Sequence, residues 1–281
     1  MADGPTMAGR RIAVLGATGA IGGAVAQALL IRGANVVATG RSAAGLDALR
    51  SAGATTVAID FAVDGSAELL RSQCARSFAG ALDGLAICTG AHGPIGLTRD
   101  LDAAVVSNYL AEHLVAPLAA INAVAPMLDA GSRPSIVVMS GGGATTARPR
   151  YSAYAMAKVS LVRLIENFGA EEPTWRINAV APGFIASAIH ETSIEAGIER
   201  SGEDPDDLRA RLAAPDDPRQ VADLVAFLLS GVPSVPSGRL LSAPWDPWND
   251  EAWLARVASS PDLGRIRRID DQQFGPVAAS D

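Results

Sequence analysis

Short, unbroken apolar runs recur along this chain with longer helix-like segments between them, and that alternation leaves few folds open. The runs are "RIAVLG" (11–16), "NVVATG" (35–40), "TTVAID" (55–60), "GLAICTG" (84–90), "SIVVMS" (135–140) and "RINAVAPG" (176–183), with "GRLLSA" (238–243) as a seventh candidate. Most are continuous rather than alternating in polarity, the pattern of parallel strands buried on both faces. The segments 21–32, 103–128, 152–168 and 218–230 carry helical patterns between them. Strand and helix in turn predict an α/β, doubly wound parallel sheet with right-handed crossovers and helices on both faces.

No linker or repeat interrupts residues 10–244, which are expected to form one domain behind a flexible N-terminus at 1–9. Residues 187–217 break the rhythm. They are polar, rich in Asp, Glu and Pro, and follow a strand end, where such sheets bind ligands; a lid-like segment is expected, with a plain surface excursion as the alternative. The extension 245–281 carries Trp245, Trp248 and Trp253 and is expected to pack on its own or a sister subunit.

Composition narrows the function. Apolar residues at 49% and charged residues at 19% fit a globular chain, and a net charge of −7 supplies no basic field for nucleic acid or an anionic membrane. Arg265, Arg267 and Arg268 cluster late, but Asp270 and Asp271 follow, so a solvated mixed-charge tail is expected. Cys74 and Cys88 are the only cysteines, and no Cys/His spacing resembles a metal site. The N-terminus lacks the apolar core of a signal peptide, and no stretch reads as long and apolar enough to span a bilayer, so a cytoplasmic location is expected.

"RIAVLGATGAIGGAVAQALL" places Gly16, Gly19 and Gly22 in a strand–turn–helix. Such glycines let the backbone approach a pyrophosphate while helix N–H groups point at its charge. After the second strand, Thr39 and Gly40 offer no acid for a ribose 2′-hydroxyl, and Arg41 follows. A guanidinium suits a 2′-phosphate, so NADP(H) is preferred over NAD(H); a solvated, idle arginine is the alternative. Asp60, ending the third strand, is a candidate for the adenine amino group or for a helix N-cap.

The catalytic candidates lie in "SIVVMSGGGATTARPRYSAYAMAK". Tyr154 and Lys158 are four residues apart and share a helix face. Lys158 is the only lysine in the chain. An ammonium beside a phenol is expected to lower the phenol's pKa towards the range useful for acid–base work, and its compact charge could hold ribose hydroxyls. Ser140 closes a strand, where its hydroxyl could polarise a carbonyl. Arg148 would favour an anionic substrate if it faced the pocket.

With "GATGAIG", "YAMAK", "NAVAPG" and Asn108 in "VVSNYLAEH", the chain resembles the short-chain dehydrogenase/reductase family over roughly residues 10–243. The resemblance implies a Rossmann-type sheet of about seven parallel strands and an NAD(P)-dependent ketone reductase or secondary-alcohol dehydrogenase acting on a small molecule. It implies Tyr154 as general acid or base, Lys158 on the nicotinamide ribose, Ser140 on the substrate oxygen, and Asn108 holding a relay water. Cofactor contacts would run through Gly16, Thr18, Gly19, Ala20, Ile21, Gly22, Arg41, Asp60, Phe61, Thr89, Gly90, Pro182, Gly183, Ile185 and Ser187. A homotetramer or homodimer built on the two long helices is implied as well. Three departures stand out. "ICTG" (87–90) replaces an Asn-Asn-Ala-Gly motif, Ala20 takes the place of the turn's middle glycine, and the usual serine position is Gly141 with Ser140 one residue earlier. A catalytically muted nucleotide-binding sensor or structural subunit, and an epimerase or dehydratase using the loop around His92, are the alternative functions.

Overall fold

A single sheet of seven parallel strands runs through the centre of the computed structural model, which describes residues 5–231 and 235–267. In chain order the elements are β1 (Arg11–Leu15), α1 (Ala20–Ile31), β2 (Asn35–Gly40), α2 (Asp47–Ser51), β3 (Thr55–Ala58), α3 (Ser66–Phe78), β4 (Gly84–Ile87) and α4 (Ala103–Leu110). A π-helical turn, Ala111–Val115, leads into α5 (Ala116–Asp129). Then come β5 (Ser135–Met139), α6 (Ser152–Glu171), β6 (Arg176–Ala181), α7 (Ala188–Ser201), α8 (Pro205–Leu212), α9 (Pro218–Leu229), β7 (Arg239–Ser242) and α10 (Glu251–Ser259). Strand order is β3-β2-β1-β4-β5-β6-β7, with Ile12 opposite Val36 on one side and Gly84 on the other. The order reverses between β1 and β4, which opens a crevice at the strands' C-terminal ends. All seven strand runs of the sequence appear; β2 keeps its full length, the others lose one to three residues at the C-terminal end, and β7 also loses one at its start.

Alternate residues of each strand feed two cores, as the two-residue period requires. Ile12 and Val14 pack with Val25 and Leu29 of α1 and Val221, Leu224 and Val225 of α9. Ala13 and Leu15 pack on the other face with Leu70 of α3, Ile121 and Val124 of α5, and Leu161 and Ile165 of α6. Helix starts follow local chemistry. Asp102, Asp204, Asp217 and Asp250 each accept a backbone N–H from the first turn of the helix that follows, and Pro205 and Pro218 occupy first positions.

Three segments carry structure that the sequence pattern did not show. Residues 187–217 form α7 and α8, joined at Gly202 in a left-handed conformation (φ 72°). The N-terminal lead is anchored at Met7, which is buried and donates its N–H to the Arg32 carbonyl (2.9 Å). The 27-residue run Ala103–Asp129 does have the length and apolar composition to cross a bilayer, contrary to the sequence reading. In the fold, the π turn interrupts it, and Ala120, Ile121, Val124, Met127 and Leu128 are buried against the sheet.

The extension packs on its own domain as far as residue 267. Trp248 and Trp253 lie against the α1/α9 core, and Arg239 donates to the carbonyls of Ser260 (2.8 Å), Pro261 (3.3 Å) and Leu263 (2.7 Å). Trp245 is exposed. Arg268, Asp270 and Asp271 lie outside the described residues.

Candidate active site

The turn after β1 is shaped by what a side chain would strike. Gly16 sits at φ +78°, and a Cβ there would lie 3.0 Å from the Cys88 carbonyl carbon and the Thr89 nitrogen. A Cβ on Gly22 would overlap the Gly16 carbonyl oxygen. Turn, first helical turn and the strand end after β4 are therefore packed backbone on backbone. Gly19 is the N-cap of α1 and Ala20 its first residue; no side chain caps the helix, so the N–H groups at Ala20, Ile21 and Gly22 stay available to an anion. Thr18 lies across Gly40, where a Cβ would strike its methyl group, and so sits beside the start of the Arg41 segment.

Arg41 is exposed and makes no ion pair or hydrogen bond among the described residues. Asp60 is exposed too, with Oδ1 accepting the Ala62 N–H (3.0 Å). Phe61 packs on the core beneath. The cradle and the uncapped helix start fit the pyrophosphate of a dinucleotide, and the Arg41 guanidinium beside them has no protein partner among the described residues.

At the other end of the crevice α6 presents its first two turns. Tyr154 and Lys158 are both buried. The Lys158 ammonium donates to the Met139 carbonyl (3.0 Å), and its Nζ lies 5.7 Å from the Tyr154 ring centre. A Cβ on Gly90 would lie 3.5 Å from that Nζ. Burial pushes Lys158 down to about 8, with the nearby Cys88 thiol acting in the opposite direction. Burial also raises the Tyr154 phenol, and the group working to lower it is Arg148. The sequence expectation of a lowered phenol is reversed, because desolvation of the anion outweighs the charges around it.

Ser140 follows β5, its N–H donating to the Val180 carbonyl (2.8 Å) and its hydroxyl buried with no hydrogen-bond partner among the described residues. Gly141 is more telling. A Cβ there would fall on the Tyr154 hydroxyl, so the phenol oxygen rests against bare backbone. The glycine at the usual serine position and the position of the phenol are one arrangement.

Asn108 is not brought to this group; its side chain is exposed. The buried face of the helix runs through Tyr109 and His113, with Val106 and Leu110 partly buried beside them. His113, inside the π turn, stacks on Tyr109 at 4.2 Å, and its Nδ1 lies 3.1 Å from the Tyr109 carbonyl oxygen. Burial lowers its pKa, Glu112 opposes, and the charges of Lys158 and Arg41 lower it further.

The site is covered by groups from α7 and the segment after it. His92, in the loop after β4, is buried edge-on to Tyr151 (4.9 Å), Tyr154 (5.2 Å) and His190 (5.9 Å), with Nδ1 2.8 Å from Ser193 Oγ. Burial, then Arg148 and His190, push His92 down to about 3, so it is neutral. The Tyr151 hydroxyl donates to Glu203 Oε2 (2.5 Å) and lies 3.0 Å from Ser193 Oγ. The Arg148 guanidinium lies 4.2 Å over the Tyr151 ring and 5.3 Å over that of Tyr154.

Opposite, Gly183 (φ +84°) follows Pro182, and the next residue is clamped by Asp216: its carboxylate accepts the Phe184 N–H (2.6 Å) and its own N–H donates to the Phe184 carbonyl (3.0 Å). Ile185 is buried and Ser187 is the N-cap residue of α7. The sequence reading gave His92 a place only in the epimerase or dehydratase alternative, with no role in hydride transfer, and did not single out His113, Ser193, Glu203 or Asp216. One signal was available: the chain has three histidines, His92, His113 and His190, and all are buried beside this crevice.

Residues 16–242 match the family model described as enoyl-(acyl carrier protein) reductase. Cis-4-hydroxycyclohexanecarboxylate dehydrogenase of Sinomonas cyclohexanicum is 33% identical over 254 residues, covering 85% of this chain and 96% of that protein. Levodione reductase superposes with a TM-score of 0.75 at 23% identity, covering 84% of this chain and 96% of that one. A Shigella flexneri protein solved with NADP gives 0.73 at 20% identity, covering 86% and 99%. With this match, the parallel sheet and the buried Tyr154–Lys158 pair together, the chain belongs to the short-chain dehydrogenase/reductase family of oxidoreductases.

Proposed function

We propose that the protein is an NADP(H)-dependent oxidoreductase that moves a hydride between nicotinamide and a ketone or secondary alcohol, with Tyr154 as the general acid or base. The observation that carries this reading is the buried Tyr154–Lys158 pair at the C-terminal edge of the sheet, beside an uncapped glycine-rich helix start. A bound nicotinamide supplies or accepts the hydride. Tyr154, its pKa raised by burial, holds its proton at neutral pH and donates it to the oxygen of a ketone under reduction. Lys158 keeps a compact donor beside that phenol for the ribose hydroxyls. Ser140 has an unpaired buried hydroxyl, which supports a role on the substrate oxygen or in orienting the strand end. Asn108 takes no part in this reading.

Gly16, Thr18, Gly19, Ala20, Ile21 and Gly22 cradle the pyrophosphate, and the unpaired Arg41 faces the 2′-phosphate. Asp60 and Phe61 border the adenine, while Thr89, Gly90, Pro182, Gly183, Ile185 and Ser187 frame the nicotinamide. Residues 187–217 act as the cover. A homodimer or homotetramer forms through α4–α6, where Val105, Val115 and Met156 are exposed. The relative named for a hydroxycyclohexanecarboxylate supports a secondary alcohol on a small ring as the substrate class. A second reading, a nucleotide sensor without turnover, draws on Gly141 in place of the family serine.

Titration of NADPH and NADH, with turnover over a panel of cyclic ketones and alcohols, separates the readings. NADPH is expected to bind at least about tenfold more tightly, with the preference lost in Arg41→Ala. Tyr154→Phe is expected to lower kcat about 10²–10⁴-fold without weakening NADPH binding. Equal affinity for the two cofactors overturns the Arg41 assignment; NADPH binding with no turnover on any alcohol or ketone favours the sensor.

A further inference from the structure

Among the arginines around the cover, Arg148 differs in how its donors are used. Arg150 donates to the Glu199 and Arg200 carbonyls, and Arg200 to the Ile95 carbonyl (3.1 Å). Both guanidiniums thus tie α7 to neighbouring loops. Arg148 makes no side-chain hydrogen bond among the described residues, although it lies over two tyrosine rings. Its one ionic partner is Glu203, at 3.9 Å, too long for a hydrogen bond. A guanidinium offers a planar fork of N–H donors matched to a carboxylate, and here the fork is unspent.

Glu203 sits just beyond α7, and its carboxylate accepts from the Tyr151 hydroxyl at 2.5 Å. Arg148 and Tyr151 are therefore already assembled around one carboxylate, that of Glu203. Tyr151 precedes Tyr154 by about one helical turn; the His92 ring packs edge-on to both, and the Arg148 guanidinium lies over both, so the two phenols and the guanidinium form one cluster. Arg148 also lines a cavity of about 640 Å³ with Gly143, Thr146, Pro149 and Met156, which gives the guanidinium an approach from outside.

We propose that Arg148 and Tyr151 form a carboxylate-binding subsite beside Tyr154, and that Glu203 holds it until the carboxylate of a substrate displaces it. The ligand class is a small ring or short chain bearing a carboxylate and, a few carbons away, the ketone or carbinol on which Tyr154 acts. This rests on the reading of Tyr154 given above. Glu203 acts as a specificity residue: its exchange from Arg148 favours substrates that bring a replacement charge. Neutral ketones would leave the pairing in place and gain nothing from Arg148.

Calorimetric titration of the full-length chain with NADPH present tests this, using cyclohexanecarboxylate and cyclohexanecarboxamide as probes of similar shape. The carboxylate is expected to bind about tenfold or more tightly than the amide. Arg148→Met should abolish that preference and Arg148→Lys should retain part of it. Glu203→Gln, which keeps an acceptor for Tyr151 but no charge, should strengthen carboxylate binding and leave the amide unchanged. The proposal is overturned if neither the wild type nor Glu203→Gln prefers the carboxylate, or if the preference survives in Arg148→Met. Unchanged NADPH affinity and melting temperature show that each variant is folded. Carboxylate preference without turnover of any ketone or alcohol would sink the hydride-transfer reading and leave the subsite standing. Turnover of neutral ketones with no such preference would do the reverse.

Discussion

Tyr154 directs its hydroxyl at a residue with no side chain, and that contact explains the site's main departure from family pattern. At Gly141 the backbone is extended, so no unusual φ demands glycine; the space does. Gly141→Ser puts its Cβ where the phenol oxygen sits, and the expected cost is overpacking of about 1–3 kcal/mol together with a displaced acid. Turnover should fall at least about tenfold in this variant while NADPH affinity holds, as measured by steady-state rates and titration. A rise in turnover would show that the phenol has room to retreat and that the contact does not set its position. The spacing of Tyr154 and Lys158 was legible in the sequence because a helix puts residues i and i+4 on one face. The direction of the phenol's pKa was not, because it depends on how much water the fold removes, and desolvation prevails over the surrounding charge.

Among the elements, the β1–turn–α1 unit was the most legible, since Gly22 answers to the Gly16 carbonyl only six residues away, although Gly16 itself is pressed against Cys88 and Thr89. Gly22→Ala drives a methyl into the Gly16 carbonyl. NADPH affinity is expected to fall at least about tenfold and the melting temperature to drop; retained affinity at wild-type level would mean that the turn tolerates a wider path. The α4–π–α5 run was harder. Periodicity predicted one helix over 103–128 and the family resemblance offered Asn108 on it, whereas the buried face passes through Tyr109 and His113, and a π turn shifts the register after Leu110. An inserted residue of that kind leaves no mark on composition. Residues 187–217 read as a polar lid or surface excursion without defined elements, yet Asp204-Pro205 is a helix-start pair, and α8 begins there. The weakly amphipathic α7 hid its function: its buried polar groups, His190 and Ser193, point at the site rather than at an apolar core.

At the scale of the whole molecule, Lys158 links the site to global stability. Its folded pKa, about 8, lies below the unfolded value near 10.5. Between those pH values the unfolded chain holds the extra proton, so stability from this group rises with pH across that window. Below it the full penalty applies, about 3 kcal/mol. Lys158→Met should therefore unfold at higher urea than wild type at pH 7, with the difference shrinking towards pH 10.5; a constant difference across that range would refute the linkage. The same scale accounts for the C-terminal extension, which Arg239 and the two packed tryptophans hold on the α1/α9 layer. By itself the sequence determined the parallel α/β sheet, the glycine turn and the Tyr154–Lys158 pair, because these follow from short-range periodicity and from steric limits that act between near neighbours. Only the tertiary structure decided that Gly141 seats the phenol, that His113 rather than Asn108 lies on the buried face, and that Glu203 meets Arg148 and Tyr151. Those groups lie up to about fifty residues apart, and their encounters depend on how helices are laid across the strand ends.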